Sequence, residues 1–270
     1  SWTDSASWSN NAPEKTVLDG SKSATLTFTG NFNGLRITRE LTFKADSYLI
    51  TEKLHIQNLG AAAVSPRVSY ALGTPHLSLA GEKHNLPSIA HLTAENSFSA
   101  ENSEEKLKKG VEVPNSRWGT VQNNYFLAAI VPSSENALVL GVLQKNVYRL
   151  RVEENAMTIN PGATQDFDIS YYMGPKQYAY LHTAPAELMK SMNYGWFGFI
   201  SEPLIWFLNF LYSFIGNYGL AIILMTFIIK VLLWPIAQKS YKSMERMRKI
   251  QPFIKKIKKK HKGNKAEIQK

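Results

Sequence analysis

Residues 24–60, ATLTFTGNFNGLRITRELTFKADSYLITEKLHIQNLG, alternate apolar and polar side chains. The apolar positions are rich in β-branched and aromatic residues, and Gly-Asn, Asn-Gly and Ala-Asp-Ser separate the runs. Alternation with a period of two between such turn residues is typical of consecutive antiparallel strands joined by tight turns. The stretch therefore predicts an antiparallel β fold.

The same alternation recurs through residues 64–80 and 119–152, and again around Pro161–Gly162. About ten strands are expected in the first 180 residues, with no long helical pattern between them. This arrangement predicts a large β-sandwich rather than a βαβ fold. The segment 81–117 is polar and charged, and we expect it to form long loops over one edge of the sandwich.

The chain changes character after Pro185, where aromatic residues become dense and their spacing becomes helical. Ser201–Glu202–Pro203 is typical of a helix start, so a helix is expected from about Pro203 to Ile215. A helix of that length is too short to cross a bilayer. Its aromatic composition instead predicts an interfacial helix, with Trp196 and Trp206 at headgroup depth.

Tyr218–Trp234, YGLAIILMTFIIKVLLW, is a 17-residue apolar run with one charge, Lys230. A run of this length is at the short limit for a membrane-spanning helix, and Trp234 would anchor its end at the interface. A charge inside a span is costly, so Lys230 marks a candidate functional position.

Lys230 has two interpretations. It precedes Trp234 by four residues, about 6 Å along a helix axis, so its flexible stem could carry the ammonium group to the interface. Alternatively, it faces a water-filled cavity and binds acidic or polar groups of a passing substrate. Thr226 lies one turn earlier on the same helix face, which makes a polar stripe rather than a lone charge.

The net charge of +10 comes from the end of the chain. Residues 235–270 hold 13 Lys/Arg and 2 Asp/Glu, a difference of +11, which leaves 18 Lys/Arg and 19 Asp/Glu, or −1, for the rest. Basic residues next to a span favour a cytoplasmic C-terminus with the β-domain on the other side. The basic side chains could also bind anionic phospholipids or ribosomal RNA. The main candidates for cytoplasmic contact are Arg246, Arg248, Lys249, Lys255 and Lys256.

The tail has the pattern of an amphipathic helix, with Met244, Met247 and Ile250 among its apolar positions. Pro252 is expected to kink or break it. Four segments are predicted in all. They are a β-sandwich (1–185), a linker with an interfacial helix (186–216), a transmembrane helix (217–235) and the start of a basic cytoplasmic helical region (236–270). The chain opens at Ser1 in a polar stretch without an initiator Met, and it stops at Lys270 inside the charged helical pattern. We therefore expect it to be a fragment whose targeting segment has been removed.

No catalytic or metal-binding pattern is found. The chain has no cysteine, which excludes disulfides, thiol catalysis and cysteine-based metal sites. Its six histidines are scattered without metal-ligand spacing, and nucleotide-binding or hydrolase motifs are absent. We therefore expect neither an enzyme nor a resident cofactor or metal.

Residues 216–260, GNYGLAIILMTFIIKVLLWPIAQKSYKSMERMRKIQPFIKKIKKK, resemble the YidC-type membrane protein insertases of Gram-negative bacteria. In that family a spanning helix is followed by a cytoplasmic helical hairpin that opens with an S-M-x-x-M-(R)-x-x-Q-P-x-I pattern, matched here by Ser243–Ile254. The upstream run YGWFGFISEPLIWFLNFLYSFIGN is similar to the interfacial helix that leads into the second span. The β region resembles the family's periplasmic domain, a mutarotase-like supersandwich.

The resemblance implies a non-enzymatic insertase and chaperone of the bacterial inner membrane. It would accept transmembrane segments of nascent membrane proteins from the ribosome or from the Sec translocon with its accessory subunits. In this family an arginine of the second span lies in a hydrophilic groove, and Lys230 stands at that position, with Thr226 matching a groove threonine. Lysine keeps the charge but not the planar fork of arginine. The family uses about five spans to enclose the groove, so this single span is not expected to be active alone.

Two alternatives remain open. A mutarotase-like sandwich could be a membrane-tethered domain that binds or modifies carbohydrate, which acids and aromatic rings converging on one concave face would favour. The chain could also be a scaffold that docks Sec accessory proteins, which crosslinks from the sandwich to those proteins would favour.

Overall fold

The computed structural model describes residues 7–11, 13, 15–75, 85–193 and 195–260 of the chain. Within them, the side chains of residues 196, 246, 249 and 255–260 are not described. The chain divides into two compact units between Asn193 and Tyr194, a β-unit and a helical unit.

The described part of the β-unit contains twelve strands, and every pairing between them is antiparallel. The strands are β1 (Ser7–Asn10), β2 (Ser23–Phe32), β3 (Leu35–Lys44), β4 (Leu49–Asn58), β5 (Ser69–Pro75), β6 (Ser88–Thr93), β7 (Phe98–Glu101), β8 (Val111–Gln122), β9 (Phe126–Val131), β10 (Ala137–Gln144), β11 (Val147–Glu153) and β12 (Thr164–Pro175). The predicted large antiparallel β-sandwich is therefore confirmed.

The strand order is β1-β2-β3-β4-β12-β9-β8-β10-β11-β5, with β6 on β8 and β7 on β6. The long strand β8 links the two layers, because its first half pairs with β10 and its second half pairs with β9 and β6. Apolar side chains of β3, β4 and β12 then pack against those of β10, β11 and β5 in one core. Fully buried members of this core include Ile169, Tyr148 and Leu150.

A second core lies on the other face of β6, β8, β9 and β12. It is covered by a short helix, α2 (Tyr178–Leu181), and by a 3-10 turn (Leu188–Ser191), which bury Leu181 and Leu188 against Trp118. Trp118 Nε1 donates to the Ala186 carbonyl at 3.0 Å and fixes this segment. The β-unit consequently continues to Asn193, past the boundary expected at residue 185.

The helical unit consists of α3 (Gly198–Ile215) and α4 (Tyr218–Lys260), preceded by a 3-10 turn (Gly195–Phe197). Gly216, with a φ of +68°, ends α3 and donates its N–H to Tyr212. Asn217 then caps α4, since its Oδ1 accepts from the backbone N–H of Gly219 at 2.8 Å. The break expected at Gly216–Asn217 is thus present.

The segment expected to be loops is largely ordered secondary structure. Residues 85–117 contain β6, β7, a helix α1 (Glu104–Lys109) and the start of β8, whereas residues 81–84 lie outside the described part. Ser103 caps α1, and Lys108 and Lys109 pair with the acidic residues four positions earlier. The many charges of this segment therefore belong to a short exposed helix rather than to a loop.

Several sequence-based expectations were wrong. The helix expected from Pro203 begins five residues earlier at Gly198, and its 18 residues make it long and apolar enough to cross a membrane. Helix α4 runs through both Pro235 and Pro252, because each proline removes only one backbone hydrogen bond from a long helix. The alternation around Pro161–Gly162 predicted one strand on each side of that turn. Strand β12 follows the turn, but the described residues between β11 and the turn form only an isolated bridge, from Ile159 to Val64.

Candidate functional site

The polar stripe of α4 consists of Thr226 and Lys230. The Thr226 hydroxyl donates to the Ile222 carbonyl one turn earlier, at 2.8 Å, so its hydrogen is satisfied within the helix. Lys230, one turn later, has an exposed side chain and makes no ion pair with any residue that the structure describes. The stripe therefore presents an unneutralised cation and a hydroxyl oxygen to whatever packs on this face.

The surroundings of the stripe are apolar and exposed. Helices α3 and α4 each contain an 18-residue apolar segment, and only 6% of the residues in each segment are buried. Leu211 and Ala221 are buried, whereas Ile223, Phe227 and Leu232 are each more than 60% exposed. Such surfaces are stable in lipid or against other spanning helices rather than in water.

The expected interfacial tryptophans are only partly described. Trp206 is 68% exposed and stacks on Phe210 with ring centroids 5.8 Å apart. Trp234 is 63% exposed, one turn beyond Lys230. The side chain of Trp196 lies outside the described part, so its depth stays a prediction.

The basic end of α4 is also described in part. Arg248 is exposed, and the apolar stripe of Met244, Met247, Ile250 and Ile254 is 39–56% exposed. The side chains of Arg246, Lys249, Lys255 and Lys256 are not described, although their backbone is helical. Their cytoplasmic contacts stay predictions.

Sequence reasoning missed a buried polar network in the β-unit. Glu52 of β4 is 1% exposed and accepts two hydrogen bonds from the Arg39 guanidinium of β3, one of them at 2.9 Å. The Tyr171 hydroxyl of β12 donates to the same carboxylate at 2.7 Å. The hydrogen bond that Arg39 donates to Glu52, and the negative charge of that carboxylate, raise the pKa of Arg39, while partial burial acts in the opposite direction.

A sequence signal for this network did exist. Glu52 shares its strand parity with Leu54 and Ile56, which point into the core, and Arg39 shares its parity with Ile37. A charged residue at an apolar position of an alternating strand needs a partner. Two opposite charges at such positions on adjacent strands could therefore have been paired.

Two open clefts of the β-unit are lined by described residues. The first, about 580 Å³, crosses β5, β8, β10 and β11 and has Lys109, Arg149, Arg151 and Glu112 among its lining residues. The second, about 670 Å³, has Tyr48 and Phe126 in its lining but no acid among the described lining residues. Neither cleft combines acids with aromatic rings, which was the arrangement that would favour a carbohydrate site. No cluster of His, Asp or Glu suited to a metal ion occurs among the described residues.

Comparison with known families covers nearly the whole chain. Residues 2–207 match the family described as YidC periplasmic domain, and residues 210–270 match the family described as 60Kd inner membrane protein. The two matches, together with two apolar helices, define an inner membrane protein with a periplasmic domain.

Named relatives agree with this class. The chain is 42% identical over 269 residues to the membrane protein insertase YidC of Nitratidesulfovibrio vulgaris, covering 99% of this chain and 50% of the relative. It is 35% identical to the insertase of Maridesulfovibrio salexigens, covering 94% and 47%, and 28% identical to that of Cupriavidus taiwanensis, covering 94% and 46%. The chain belongs to the YidC family of membrane protein insertases, and it spans about half the length of the curated relatives it matches.

Two of the solved structures similar to this chain each cover part of it. A galactose mutarotase-like protein from Clostridium acetobutylicum is 10% identical, with a TM-score of 0.44, covering 65% of this chain and 68% of that protein. A galactose mutarotase related enzyme from Lactobacillus acidophilus is 11% identical, with a TM-score of 0.43, covering 64% and 72%. Scores at this level support no conclusion about function.

Proposed function

We propose that this chain forms part of an insertase that transfers transmembrane segments of nascent membrane proteins into the inner membrane. The family matches along residues 2–207 and 210–270 are the observation that carries the proposal. In this role the chain supplies the periplasmic domain, the interfacial helix α3 and a groove-lining helix α4 that spans the membrane. The protein acts by binding and release rather than by covalent chemistry.

Lys230 is proposed as the charged residue of the groove. Its ammonium lies on an exposed face of α4 beside Thr226 and lacks a described counter-ion. A cation held at low dielectric attracts carboxylates more strongly than one in bulk water. It would therefore draw acidic residues at the extracytoplasmic end of a substrate into the groove. Snorkelling to the interface is the competing role for the same side chain.

The partners and topology are proposed on the same basis. Thirteen basic residues in 235–270 favour a cytoplasmic end for α4, in reach of anionic phospholipids and the ribosome. The exposed stripe of Met244, Met247 and Ile250 gives that end an apolar face for the remaining helices or for a partner. Cooperation with the Sec translocon and its accessory subunits is proposed from family membership.

The test is complementation by the full-length protein in cells depleted of their own insertase. Insertion is measured by protease protection of single-span substrates whose translocated ends carry either acidic or neutral residues. We expect Lys230→Arg to retain insertion, and Lys230→Ala to impair it for acidic substrates more than for neutral ones. Leu232→Ala is the matched control, because Leu232 is 69% exposed on a different face of the same turn.

The outcomes separate the two roles of Lys230. Equal insertion of acidic substrates by Lys230→Ala and Leu232→Ala would overturn the groove role and leave snorkelling. Failure of the unmodified full-length protein to insert any substrate, when it is present in the membrane at normal levels, would overturn the insertase proposal itself.

A further inference from the structure

The cleft of about 580 Å³ lies on the outer face of one layer of the sandwich, across β5, β11, β10 and the start of β8. Its two arginines, Arg149 and Arg151, alternate along β11 with buried core residues, Tyr148, Leu150 and Val152. Successive side chains of a strand point to opposite faces, so both guanidinium groups lie on the face turned away from the core.

The space in this cleft comes from small residues of β5. Gly73 lies directly opposite Arg149, and Ala71 lies opposite Arg151. Neither side chain is long enough to cover a guanidinium group, so the β5 side of each arginine is open. The residues of β10 opposite the same two arginines are apolar and half-buried: Val142 and Leu140. The floor of the cleft is therefore small and apolar, and cationic side chains project from it.

One end of the cleft is cationic. Arg149 is exposed and makes no ion pair with a residue that the structure describes. Val142 lies opposite Arg149 on one side, and on the other side it lies beside the chain that leads from α1 into Val111, because Val111 is opposite Gly141. Lys109 is in that chain, and its own partner is an exposed acid one helical turn earlier. Exposed pairs of this kind contribute little, so both cations are available to a ligand.

The other end of the cleft has charges of both signs. Arg151 pairs with the nearly buried Glu153 through Nε at 3.0 Å, and its side chain is still 54% exposed. Glu112 lies opposite Leu140, in the same row as Arg151. An anion is therefore attracted to the end that contains Arg149 and Lys109 rather than to the whole cleft.

A carboxylate in an extended peptide fits this arrangement. A guanidinium group can donate two parallel hydrogen bonds to a carboxylate, and a cleft with charge of one sign concentrates the opposite charge. The apolar floor suits the side chains between acidic positions, and the described lining residues include no aromatic ring on which a sugar could stack. Four strands at a spacing of about 4.8 Å span about 14 Å, the length of about four extended residues.

We propose that the cleft binds acidic extracytoplasmic ends of substrate proteins as extended peptide, with a carboxylate on Arg149 and Lys109. The inference rests on the proposed insertase function, because the insertase would deliver such ends to the compartment of the periplasmic domain. Lys230 would attract acidic ends during transfer, and the cleft would hold them afterwards. Binding there would oppose the return of the transferred end.

The test is photocrosslinking to the full chain in detergent. Because the chain has no cysteine, Gly73→Cys gives a unique thiol for a benzophenone label opposite Arg149. A Cβ at position 73 would meet Val147 at 3.7 Å, an ordinary contact, so the substitution fits. Thr51→Cys, exposed on the outer face of the other layer, controls for peptide bound elsewhere, such as on the basic tail. The probes are biotinylated, amidated Asp-Val-Asp-Val-Asp and its counterpart with asparagine in place of aspartate.

We expect the label at position 73 to capture the aspartate peptide several-fold more than the asparagine peptide, and several-fold more than the label at position 51 captures either. Arg149→Gln together with Lys109→Gln should abolish this preference. Arg36→Gln together with Lys53→Gln removes the same charge from the exposed face of the other layer and should leave the preference unchanged. Circular dichroism of each variant verifies folding.

Equal capture of the two peptides at position 73 would overturn the inference. Displacement of the aspartate peptide by sodium phosphate as readily as by unlabelled peptide at the same concentration would also overturn it, because the cleft would then hold any small anion. The insertase proposal is tested separately by complementation, so loss of capture with insertion intact would remove this inference alone.

Discussion

Replacing Arg39 by methionine should destabilise the β-unit by about 3 kcal/mol at neutral pH. The Glu52 carboxylate is 1% exposed and is held by the Arg39 guanidinium and the Tyr171 hydroxyl. Removing the guanidinium leaves a buried charge with a single hydrogen bond, and breaking such a pair costs about 3–5 kcal/mol. The Arg39 side chain is 31% exposed, so water can reach the vacated edge, which places the cost at the lower end.

For a unit of this size, each kcal/mol lowers Tm by about 2–4 °C, so Arg39→Met should lower it by about 6–12 °C. Thermal unfolding of the purified chain in detergent, followed by near-ultraviolet circular dichroism, measures this directly. The signal reports on the β-unit, because Trp118, Tyr148 and Tyr172 are among its fully buried side chains.

The matched control removes the whole network with Arg39→Met, Glu52→Met and Tyr171→Phe together. Apolar replacement of a buried pair and its hydrogen-bond partner should bring stability back to within about 1 kcal/mol of the natural protein. A Tm for Arg39→Met within about 2 °C of that of the natural protein, a difference of less than about 1 kcal/mol, would refute the predicted penalty for the unpaired Glu52 charge. A triple variant that melts as low as the single variant would refute it as well.

Three further predictions concern the β-unit. Burial raises the pKa of Glu154, against two backbone N–H groups that lower it, so the folded state takes up a proton at higher pH than the unfolded chain. Stability should then rise as pH falls from neutrality toward about 4.3, and Glu154→Gln should flatten that part of a Tm–pH profile. Trp118→Phe loses the hydrogen bond to Ala186 and leaves a void, so it should cost about 1–3 kcal/mol and speed hydrogen exchange in residues 181–192. Asn123→Ala should cost about 1–2 kcal/mol and speed exchange of the two amides that it caps, with strands remote from the turn as the internal control.

The sequence was most informative where structure is local. Alternation over residues 24–60 predicted β2, β3 and β4, whose pairing follows consecutive tight turns. Strand β8 passes from one layer of the sandwich to the other, and its own residues do not predict this. The change of layer depends on β10 pairing with the first half of β8 and β6 pairing with the second half. The many charged residues in 85–117 led to a wrong prediction of loops. The charges instead lie on the exposed faces of short strands and of a capped helix.

Helix ends were the other source of error, and the reason is energetic. The prolines at 203, 235 and 252 were taken as boundaries. Each costs about 3 kcal/mol or more inside a helix, yet the other hydrogen bonds and contacts of these long helices outweigh that cost. By contrast, the break at Gly216–Asn217 was correct. Gly216 adopts a positive φ and Asn217 caps the next helix, so both residues stabilise the interruption itself.

Lys230 and Glu52 both place a charge where the sequence pattern calls for an apolar residue, and their surroundings distinguish their roles. Glu52 finds Arg39 and Tyr171 inside its own unit, at sequence separations of 13 and 119 residues, and its charge is balanced there. Lys230 finds no carboxylate among the described residues and lies on an exposed apolar helix. A charge satisfied within the fold stabilises the fold, whereas a charge that the fold leaves unmatched in an apolar helix requires water, lipid headgroups or a substrate. The second condition is the one that an insertase groove needs, and it makes Lys230 rather than the better-formed network of the β-unit the residue to test for function.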